Sequence, residues 1–418
     1  MTQERIEYRR LDCGADLAVM PMPDRPIVAV SIRLLAGYAF ERPACLGVAH
    51  ICDEAIAKGT AKRDGRALND AFDEIGATHG SYAGRETFGF TCLCLPEFVP
   101  QAIDLQAEMI RTPSFPLDAC QVAVELTRQS LAALNDDPQE LARKLLHRQA
   151  YGEPLGRHPL GEVETLDRIS RDQIVDHWRR FFCAANMQCA IAGGVEPARV
   201  ADLLENAFKE FVPDPQAADG QPAHPALCPL RFHPGRRHHE KDLEQEYIAL
   251  CFPASAVTDD DFPVEQVLLG VLAGGMSGRL FTEVREKQGL VYWVGAWCDH
   301  PRGSGMIHMG ASTTPQRVDQ TYATLLRETN RIAQDLTGDE VQRAINGLVA
   351  QVQTRGDISR SRANRIGDDL FYYGRPIPIE EKLARIQAVT VEDIKQYLEA
   401  HPRDKLSVVT LGPRELEE

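Results

Sequence analysis

The chain repeats one series of landmarks in its two halves. The segment Ile-Ser-Arg-Asp-Gln-Ile at 169–174 returns as Val-Thr-Val-Glu-Asp-Ile at 389–394, so that Ser170 and Thr390 lie 220 residues apart. Upstream, Tyr151-Gly-Glu-Pro is matched by Tyr373-Gly-Arg-Pro, at a distance of 222 residues. Because both landmarks keep nearly the same spacing, the sequence predicts two similar halves of about 210 residues each.

Each half predicts the same local structure after its landmark. Ser170 and Thr390 are predicted helix N-caps, each with a polar side chain three residues later that would close a capping box. An amphipathic helix follows in both halves, and then an apolar run typical of a β-strand, at Met187 to Gly194 and at Leu406 to Gly412.

Strands and helices mix within the first half. Apolar runs predict strands at Ile27 to Leu35 and Thr87 to Leu95. Helical periodicity marks the segments Leu46 to Ala57, Ala67 to Ile75, Pro100 to Ile110 and Cys120 to Leu134. The predicted fold class is therefore α+β, with two homologous domains that each carry a largely antiparallel sheet covered by helices.

The predicted domain boundaries follow from composition. Residues 212–240 are rich in Pro, Ala and His and show no sustained periodicity, which is typical of a linker. We therefore predict an N-terminal domain at 1–211, a linker at 212–240 and a C-terminal domain at 241–418.

Charge and cysteine content exclude several classes of protein. The chain has 46 Lys and Arg against 61 Asp and Glu, a formal charge of −15, which disfavours a nucleic-acid binder. No stretch approaches the ~20 apolar residues of a membrane span, and the charged N-terminus lacks the apolar core of a signal peptide. Eleven scattered cysteines, an odd number, indicate reduced thiols and a cytoplasmic protein.

Two segments carry a family resemblance. In the first half, the frame Gly47-Val-Ala-His50 followed by Lys58-Gly-Thr60 resembles the signature of the pitrilysin, insulinase and mitochondrial-processing-peptidase family, the inverzincins. In the second half, the run 274–292, Gly-Gly-Met-Ser-Gly-Arg-Leu-Phe-Thr-Glu-Val-Arg-Glu-Lys-Gln-Gly-Leu-Val-Tyr, is similar to a further motif of that family. The resemblance covers nearly the whole chain. It implies two homologous α+β domains that face another such pair across a substrate chamber.

The resemblance also identifies a degenerate metal motif. Active chains of the family carry H-x-x-E-H on a helix, where two His bind Zn²⁺ and the Glu activates water. Here the corresponding positions hold His50, Asp53 and Glu54. Asp53 is one methylene shorter than the catalytic Glu, and a misplacement of about 1 Å can cost ~100-fold in rate. Glu54 replaces the second His.

The third ligand position departs from the family as well. Aligned on the Asp-Pro at 137–138, the position of the family's second-helix Glu ligand is Ser130, and the supporting acidic position is Ala123. Glu125 lies five residues before Ser130, about 140° around a helix, so it should not substitute. The family's substrate-holding Asn-Ala pair appears as Gly80-Ser81. We therefore expect no tight zinc at His50, Asp53, Glu54 and Ser130.

A second functional pair of the family is intact. By the resemblance, Arg285 and Tyr292 reach toward the substrate carbonyl at the zinc of an opposing chain, where a guanidinium and a phenol can donate hydrogen bonds to a developing oxyanion. The resemblance further implies a substrate-contacting loop formed by Gly274, Gly275, Met276 and Ser277.

These features favour one function over two alternatives. The chain resembles the non-catalytic subunit of a two-chain bacterial peptidase, with zinc supplied by a homologous H-x-x-E-H subunit and with a peptide as substrate. The pair that trims the precursor of pyrroloquinoline quinone is one example of such enzymes. The alternatives are a stand-alone metallopeptidase with an atypical His and Glu site, and a structural subunit like the core proteins of respiratory complexes.

Overall fold

The computed structural model describes residues 5–212, 226–228, 230–355 and 358–417. The strands are β1 Glu7–Arg10, β2 Asp16–Pro21, β3 Val28–Leu34, β4 Thr78–Ala83, β5 Phe88–Cys94, β6 Met187–Gly193, β7 Gly235–Glu240, β8 Glu246–Ala254, β9 Val291–Asp299, β10 Gly305–Thr313 and β11 Ser407–Gly412. The helices are α1 Val48–Ile56, α2 Gly65–Glu74, α3 Val99–Arg111, α4 Leu117–Ala133, α5 Pro138–Tyr151, α6 Val163–Leu166, α7 Arg171–Phe181, α8 Pro197–Phe208, α9 Phe262–Ala273, α10 Val318–Asp335, α11 Gly338–Arg355, α12 Ser359–Tyr373, α13 Ile379–Gln387 and α14 Val391–Ala400. The predicted α+β class is confirmed.

Two sheets share one topology. The first has the strand order β1-β2-β6-β3-β5-β4, and the second has the order β7-β11-β8-β10-β9. In each sheet one parallel pair, β2 with β6 or β7 with β11, is followed by antiparallel pairs. The predicted duplication is therefore present in the strand pairing, with β4 and β9 as equivalent edge strands.

The central strands are buried on both faces. Every residue of β3 and of β10 is buried, so these strands consist of apolar, small and hydroxyl side chains with few charges. A strand that is buried on both faces requires cover on both sides of its sheet. In each unit, one helix from the other half of the sequence contributes to that cover.

The chain forms two compact units that exchange a helix. The first unit comprises Met1–Ala133, Arg157–Leu227 and Arg355–Pro378, and the second comprises Leu134–Gly156, Cys228–Thr354 and Ile379–Glu418. Helix α5 therefore belongs with the second sheet and α12 with the first. This differs from the predicted division at 212–240, because sequence order alone cannot show which sheet covers a helix.

The predicted linker also differs from the structure at its C-terminal end. Residues 235–240 form β7, which pairs in parallel with β11. Residues 213–225 and 229 of the predicted linker lie outside the described residues.

Helix α12 packs on a sheet face made of small residues. The cluster joins Ala363, Ile366 and Leu370 of α12 to alanines of β2, β3 and β6. Small side chains let a helix approach a sheet closely. Beside this contact, Arg33 of β3 donates a hydrogen bond to Asp368 of α12 at 2.6 Å.

The repeated Tyr-Gly pairs end the two exchanged helices. Helix α5 ends at Tyr151 and α12 at Tyr373, and the following Gly152 and Gly374 have φ values of +60° and +67°. Glycine adopts positive φ values without a steric penalty and commonly terminates helices. The predicted capping boxes are present at the N-termini of α7 and α14. Among the described residues, none of the helices combines the length and the apolar character needed to cross a membrane.

Candidate functional site

The N-terminus of α1 is held by a buried carboxylate. Glu41, 4% exposed, accepts hydrogen bonds from the backbone N–H groups of Gly47 at 2.9 Å and Ala49 at 2.8 Å. Gly47 has a φ of +98°, which favours glycine. A carboxylate at this end also complements the helix dipole. The sequence gives no signal for this role of Glu41, since an acid six residues before a cap matches no capping pattern.

The degenerate motif lies on this helix. His50 and Glu54 are one turn apart; burial lowers the pKa of His50, and the nearby Glu54 carboxylate partly opposes that shift. Burial raises the pKa of Asp53 to about 6, although hydrogen bonds from Ser81 and from the backbone of Ala83 act in the opposite direction. Asp53 therefore contacts edge strand β4, at the position of the family's Asn-Ala pair. Of the described residues, none hydrogen-bonds to its Oδ1 atom.

The third ligand position lies on α4, which packs against α1. Ser130 is exposed and Ala123 is buried. Glu125 forms an ion pair with Arg128, which also contacts Asp167 at 2.8 Å. Glu125 is therefore engaged on the solvent side of α4.

The predicted substrate loop is an exposed turn. Helix α9 ends at Ala273, and Gly274, Gly275, Met276 and Ser277 follow as exposed residues. Gly275 has a φ of +77° and Met276 is 76% exposed. The turn therefore exposes backbone and a flexible apolar side chain to solvent.

The structure brings Arg285 and Tyr292 together. Arg285 lies on a short π-helix, Phe281–Glu286, and Tyr292 is the second residue of β9. The guanidinium carbon of Arg285 lies 5.2 Å from the ring centre of Tyr292 and 4.9 Å from that of Phe281. Tyr292 is 79% exposed. The two aromatic faces orient the guanidinium by cation–π interactions, and both polar groups face outward.

A buried arginine anchors the segment between the loop and the π-helix. Arg279, 7% exposed, donates to Glu340 from Nε at 2.7 Å and from Nη2 at 2.8 Å, and it also contacts Asp335. The bond from Arg279 lowers the pKa of Glu340 to about 2. Arg279 stands within the motif at 274–292, but the sequence does not reveal its role because its partners lie about 60 residues away.

Two groups of potential metal donors lie in the second unit. The donor atoms of His147, Asp299 and His308 lie within 4.8 Å of one another, as do those of Glu265, Cys298 and His300. His50 and Glu54 belong to neither group. In the first group, the Tyr151 hydroxyl lies 2.7 Å from both Asp299 and His308.

The second group is built around a fully buried carboxylate. Glu265 bonds to the Ser255 N–H at 2.8 Å, the Tyr397 hydroxyl at 3.0 Å and His300 at 2.8 Å. These bonds tie α9 to the sheet and to α14. The cluster is therefore explained as a hydrogen-bonded junction.

Family models match both halves of the chain. Residues 18–162 match Insulinase (Peptidase family M16), and residues 168–348 match the Peptidase M16 inactive domain. An uncharacterized zinc protease of Rickettsia bellii is 25% identical over 99% of both chains. A probable beta subunit of the mitochondrial-processing peptidase from Arabidopsis thaliana is 26% identical, over 92% of this chain and 74% of that protein.

Solved structures show the same fold. The peptidase M16 inactive domain from Pseudomonas fluorescens superposes with a TM-score of 0.87 at 21% identity, over 99% of both chains. A protease from Helicobacter pylori superposes with the same score at 16% identity, over 98% of this chain and 99% of that one. With both halves matched by models of one peptidase family and the two-unit fold shared, the chain belongs to the M16, or insulinase, family of peptidases.

Proposed function

We propose that this chain is the non-catalytic subunit of a two-chain zinc peptidase. It binds a peptide substrate and presents Arg285 and Tyr292 to a homologous partner that carries H-x-x-E-H. The observation that carries the proposal is the contrast between the two sites. Arg285 and Tyr292 are adjacent and exposed, whereas the positions of three zinc ligands hold His50, Glu54 and Ser130.

The chemistry of the exposed pair fits an electrostatic role. Zinc in the partner would polarise the scissile carbonyl and activate water. Arg285 and Tyr292 can each donate a hydrogen bond to a peptide carbonyl or to the oxyanion that develops from it. The turn at 274–277 lies in the same segment and would hold the backbone of the substrate. Arg279 fixes that segment without contacting the substrate.

The donor set on α1 does not suit a catalytic zinc. A catalytic zinc site usually has three protein ligands and an open position for water. His50 and Glu54 supply two donors, and Ser130 supplies only a neutral hydroxyl. Asp53 is one methylene shorter than the catalytic Glu, and its carboxyl is hydrogen-bonded to Ser81 and to the backbone of Ala83 on β4. We infer that tight zinc is absent from this unit.

We further propose peptide-precursor processing in the cytoplasm as the setting. All eleven cysteines lie among the described residues and are free thiols, which agrees with a reducing compartment. Trimming of the pyrroloquinoline quinone precursor is one example of such a reaction.

One alternative is supported by the names of relatives. Several relatives, including those of Rickettsia bellii and Streptomyces coelicolor, are named zinc proteases. A stand-alone peptidase would require zinc at His50 and Glu54 with another ligand. Zinc analysis of the purified, chelator-dialysed chain separates the two functions. Stoichiometric zinc in the parent that is lost in the His50→Ala variant would support the alternative. Zinc that is lost in the His147→Ala variant would instead be bound in the second unit.

The decisive experiment is peptide cleavage by the chain reconstituted with its H-x-x-E-H partner. Arg285→Ala and Tyr292→Phe should each lower kcat/KM about 10-fold or more, on the scale of a lost oxyanion donor. Arg66→Ala, at a side chain that is 91% exposed on α2, and Tyr8→Phe on β1 are the matched controls and should retain activity. Unchanged activity in both site variants would indicate a purely structural subunit.

A further inference from the structure

The second unit contains a cavity of about 260 Å³ between α5 and its sheet. Trp293 and Trp297 of β9 form one wall, Ala142 and Leu146 of α5 form another, and Ala249 and Gly310 lie on the floor. We call this cavity the tryptophan pocket. The cavity is partly open to solvent, and a partly open cleft with a mainly apolar lining is a candidate binding site.

A row of small residues creates the floor. Gly310 pairs with Ala249 of β8 on one side and with Gly295 of β9 on the other. Directly paired residues on neighbouring strands point to the same face of the sheet. Three adjacent positions therefore lack large side chains. The indole of Trp293 leans over this row, 2.8 Å from the place that a Cβ atom on Gly310 would occupy.

The aromatic wall is held in place before any ligand arrives. The Trp297 ring stacks on His308 with a centroid distance of 5.5 Å and an angle of 11°. His308 lies 2.7 Å from the Tyr151 hydroxyl, which also bonds to Asp299 at 2.7 Å. The cluster of His147, Asp299 and His308 described above thus holds the Trp297 ring in place. A rigid wall reduces the entropy lost on binding.

The lining indicates an apolar occupant. Arg143 and Glu140 form an ion pair with each other, and the other lining residues are mainly apolar, with Gln139 and Tyr247 carrying polar groups. The volume lies below the ~300–1,000 Å³ of typical small-molecule sites, so it fits one large side chain. Aromatic rings pack favourably against indole at 4.5–7 Å centroid distances, and the two tryptophans are 6.4 Å apart.

We propose that the tryptophan pocket is a subsite for an aromatic side chain of a peptide. This assignment rests on the proposed function for the identity of that peptide as substrate. Tyr292 and Trp293 are consecutive in β9, at a point where the pairing of β9 with β10 shifts by one residue, so the pocket begins one residue beyond Tyr292. Trp297 lies about 17 Å farther along the strand, the length of about five extended residues. The pocket would therefore select a residue several positions from the cleaved bond.

Tryptophan fluorescence tests the proposal without the partner subunit. The chain has three tryptophans, and Trp178→Phe removes the one outside the pocket. In that background, a capped six-residue peptide of glycine and serine with one central phenylalanine should produce saturable quenching. The same peptide with serine in place of phenylalanine should bind at least 10-fold more weakly. Equal responses to the two peptides would overturn the proposal.

Two variants test the location. Gly310→Ala places a methyl group against the Trp293 ring and should weaken binding of the phenylalanine peptide at least 10-fold. Gly338→Ala, where a Cβ meets no atom within 4 Å, is the matched control and should bind normally. Unaltered binding in a folded Gly310→Ala chain would contradict the proposal. If the Gly310→Ala chain does not fold, acrylamide quenching of the two pocket tryptophans in the Trp178→Phe chain replaces this test. Protection by the phenylalanine peptide but not by the serine peptide supports the proposal. Equal protection by both peptides overturns the proposal.

Two further measurements distinguish a peptide side chain from a small molecule as the ligand, and failure of the subsite from failure of the proposed function. Free indole should bind at least 10-fold more weakly than the phenylalanine peptide, and tighter binding of free indole would indicate a small-molecule site instead. Binding of the phenylalanine peptide at the pocket, together with no loss of reconstituted cleavage in Arg285→Ala, would refute the proposed function and leave the subsite standing.

Discussion

Asp53 stands at the position that the family motif gives to its general base, and its carboxyl is held on β4. A base for peptide hydrolysis must approach the metal-bound water with a free carboxylate. The Asp53 side chain is instead hydrogen-bonded to Ser81 and to the backbone of Ala83. Because aspartate has one methylene fewer than glutamate, the Asp53 carboxyl lies against β4.

The raised pKa of Asp53 predicts a pH-dependent stability. Its pKa rises from 3.8 in the unfolded chain to about 6 in the folded protein, so the folded state binds more protons between those values. The free energy of unfolding should therefore fall as pH rises through this window. Asp53→Asn should remove that dependence and stabilise the protein above pH 6 by about 1–3 kcal/mol.

Urea denaturation at several pH values checks the Asp53 prediction. Asp70→Asn, at a side chain that is 62% exposed on α2, is the control and should change little. An Asp53→Asn protein with the same pH profile as the parent would contradict the assigned pKa.

The pKa of Glu340 is shifted in the opposite direction from that of Asp53, so its effect on stability has the opposite pH dependence. The bond from Arg279 lowers its pKa from 4.5 to about 2, so its contribution to stability is present above pH 4.5 and lost as pH falls toward 2. Glu340→Gln should lower the free energy of unfolding at pH 7 by about 1–3 kcal/mol, because Arg279 loses a buried charged partner. It should also flatten the pH dependence between 4.5 and 2. Glu399→Gln, at an exposed position on α14, should retain the parent profile in the same titration.

At the scale of elements, helix ends account for the regularity of the two halves. In α14, Thr390 Oγ1 accepts from the Asp393 N–H at 3.2 Å, while Asp393 accepts from the Thr390 N–H at 2.8 Å. In α7, Gln173 accepts from the Ser170 N–H at 2.8 Å. These bonds satisfy backbone donors that a helix leaves without intrahelical partners.

Removing these caps has a predictable cost. Ser170→Ala and Thr390→Ala should each lower the free energy of unfolding by about 1 kcal/mol. Thr354→Ala on α11, where the hydroxyl donates to the Ala350 carbonyl at 2.8 Å, should stay within about 0.5 kcal/mol of the parent. Chemical denaturation of the three variants provides the comparison. Equal effects in all three would show that the capping bonds add nothing to stability.

At the scale of the whole molecule, the exchange of α5 and α12 makes the two halves of the sequence interdependent. Helix α5 carries Leu146 and Tyr151, each 1% exposed, in the second unit. Helix α12 carries the buried Ile366 and Leu370 in the first. Neither half of the sequence contains all the helices of its own unit.

This exchange predicts the behaviour of fragments. Residues 1–212 and 230–418, expressed separately, should each fail to unfold cooperatively, because each leaves a sheet face uncovered. Co-expression should restore a cooperative melt measured by near-UV circular dichroism. The control is the intact protein cleaved after folding at a protease site placed within 213–225, which should keep its melt. Cooperative unfolding of fragment 230–418 alone would show that α5 is dispensable.

Much of the fold follows from local patterns in the sequence. Caps, periodicity and turn glycines depend on residues a few positions apart, so the predicted helix at Leu46 to Ala57 appears as Val48–Ile56 and the strand at Thr87 to Leu95 as Phe88–Cys94. The repeat at Ser170 and Thr390 predicted the two homologous sheets. The family motif supplied Arg285 and Tyr292 as a pair, and the structure places them in contact.

Other features were decided only by tertiary structure. Which sheet covers α5, where the Asp53 carboxyl is bound, and which residues line the tryptophan pocket all depend on contacts between segments far apart in the chain. A hydrophobic stripe on a helix specifies that it must be buried but not against which partner. The sequence by itself therefore determined the elements, their duplication and the residues that stand at the motif positions. Packing determined the exchange of helices and the space that it leaves beside Trp293 and Trp297.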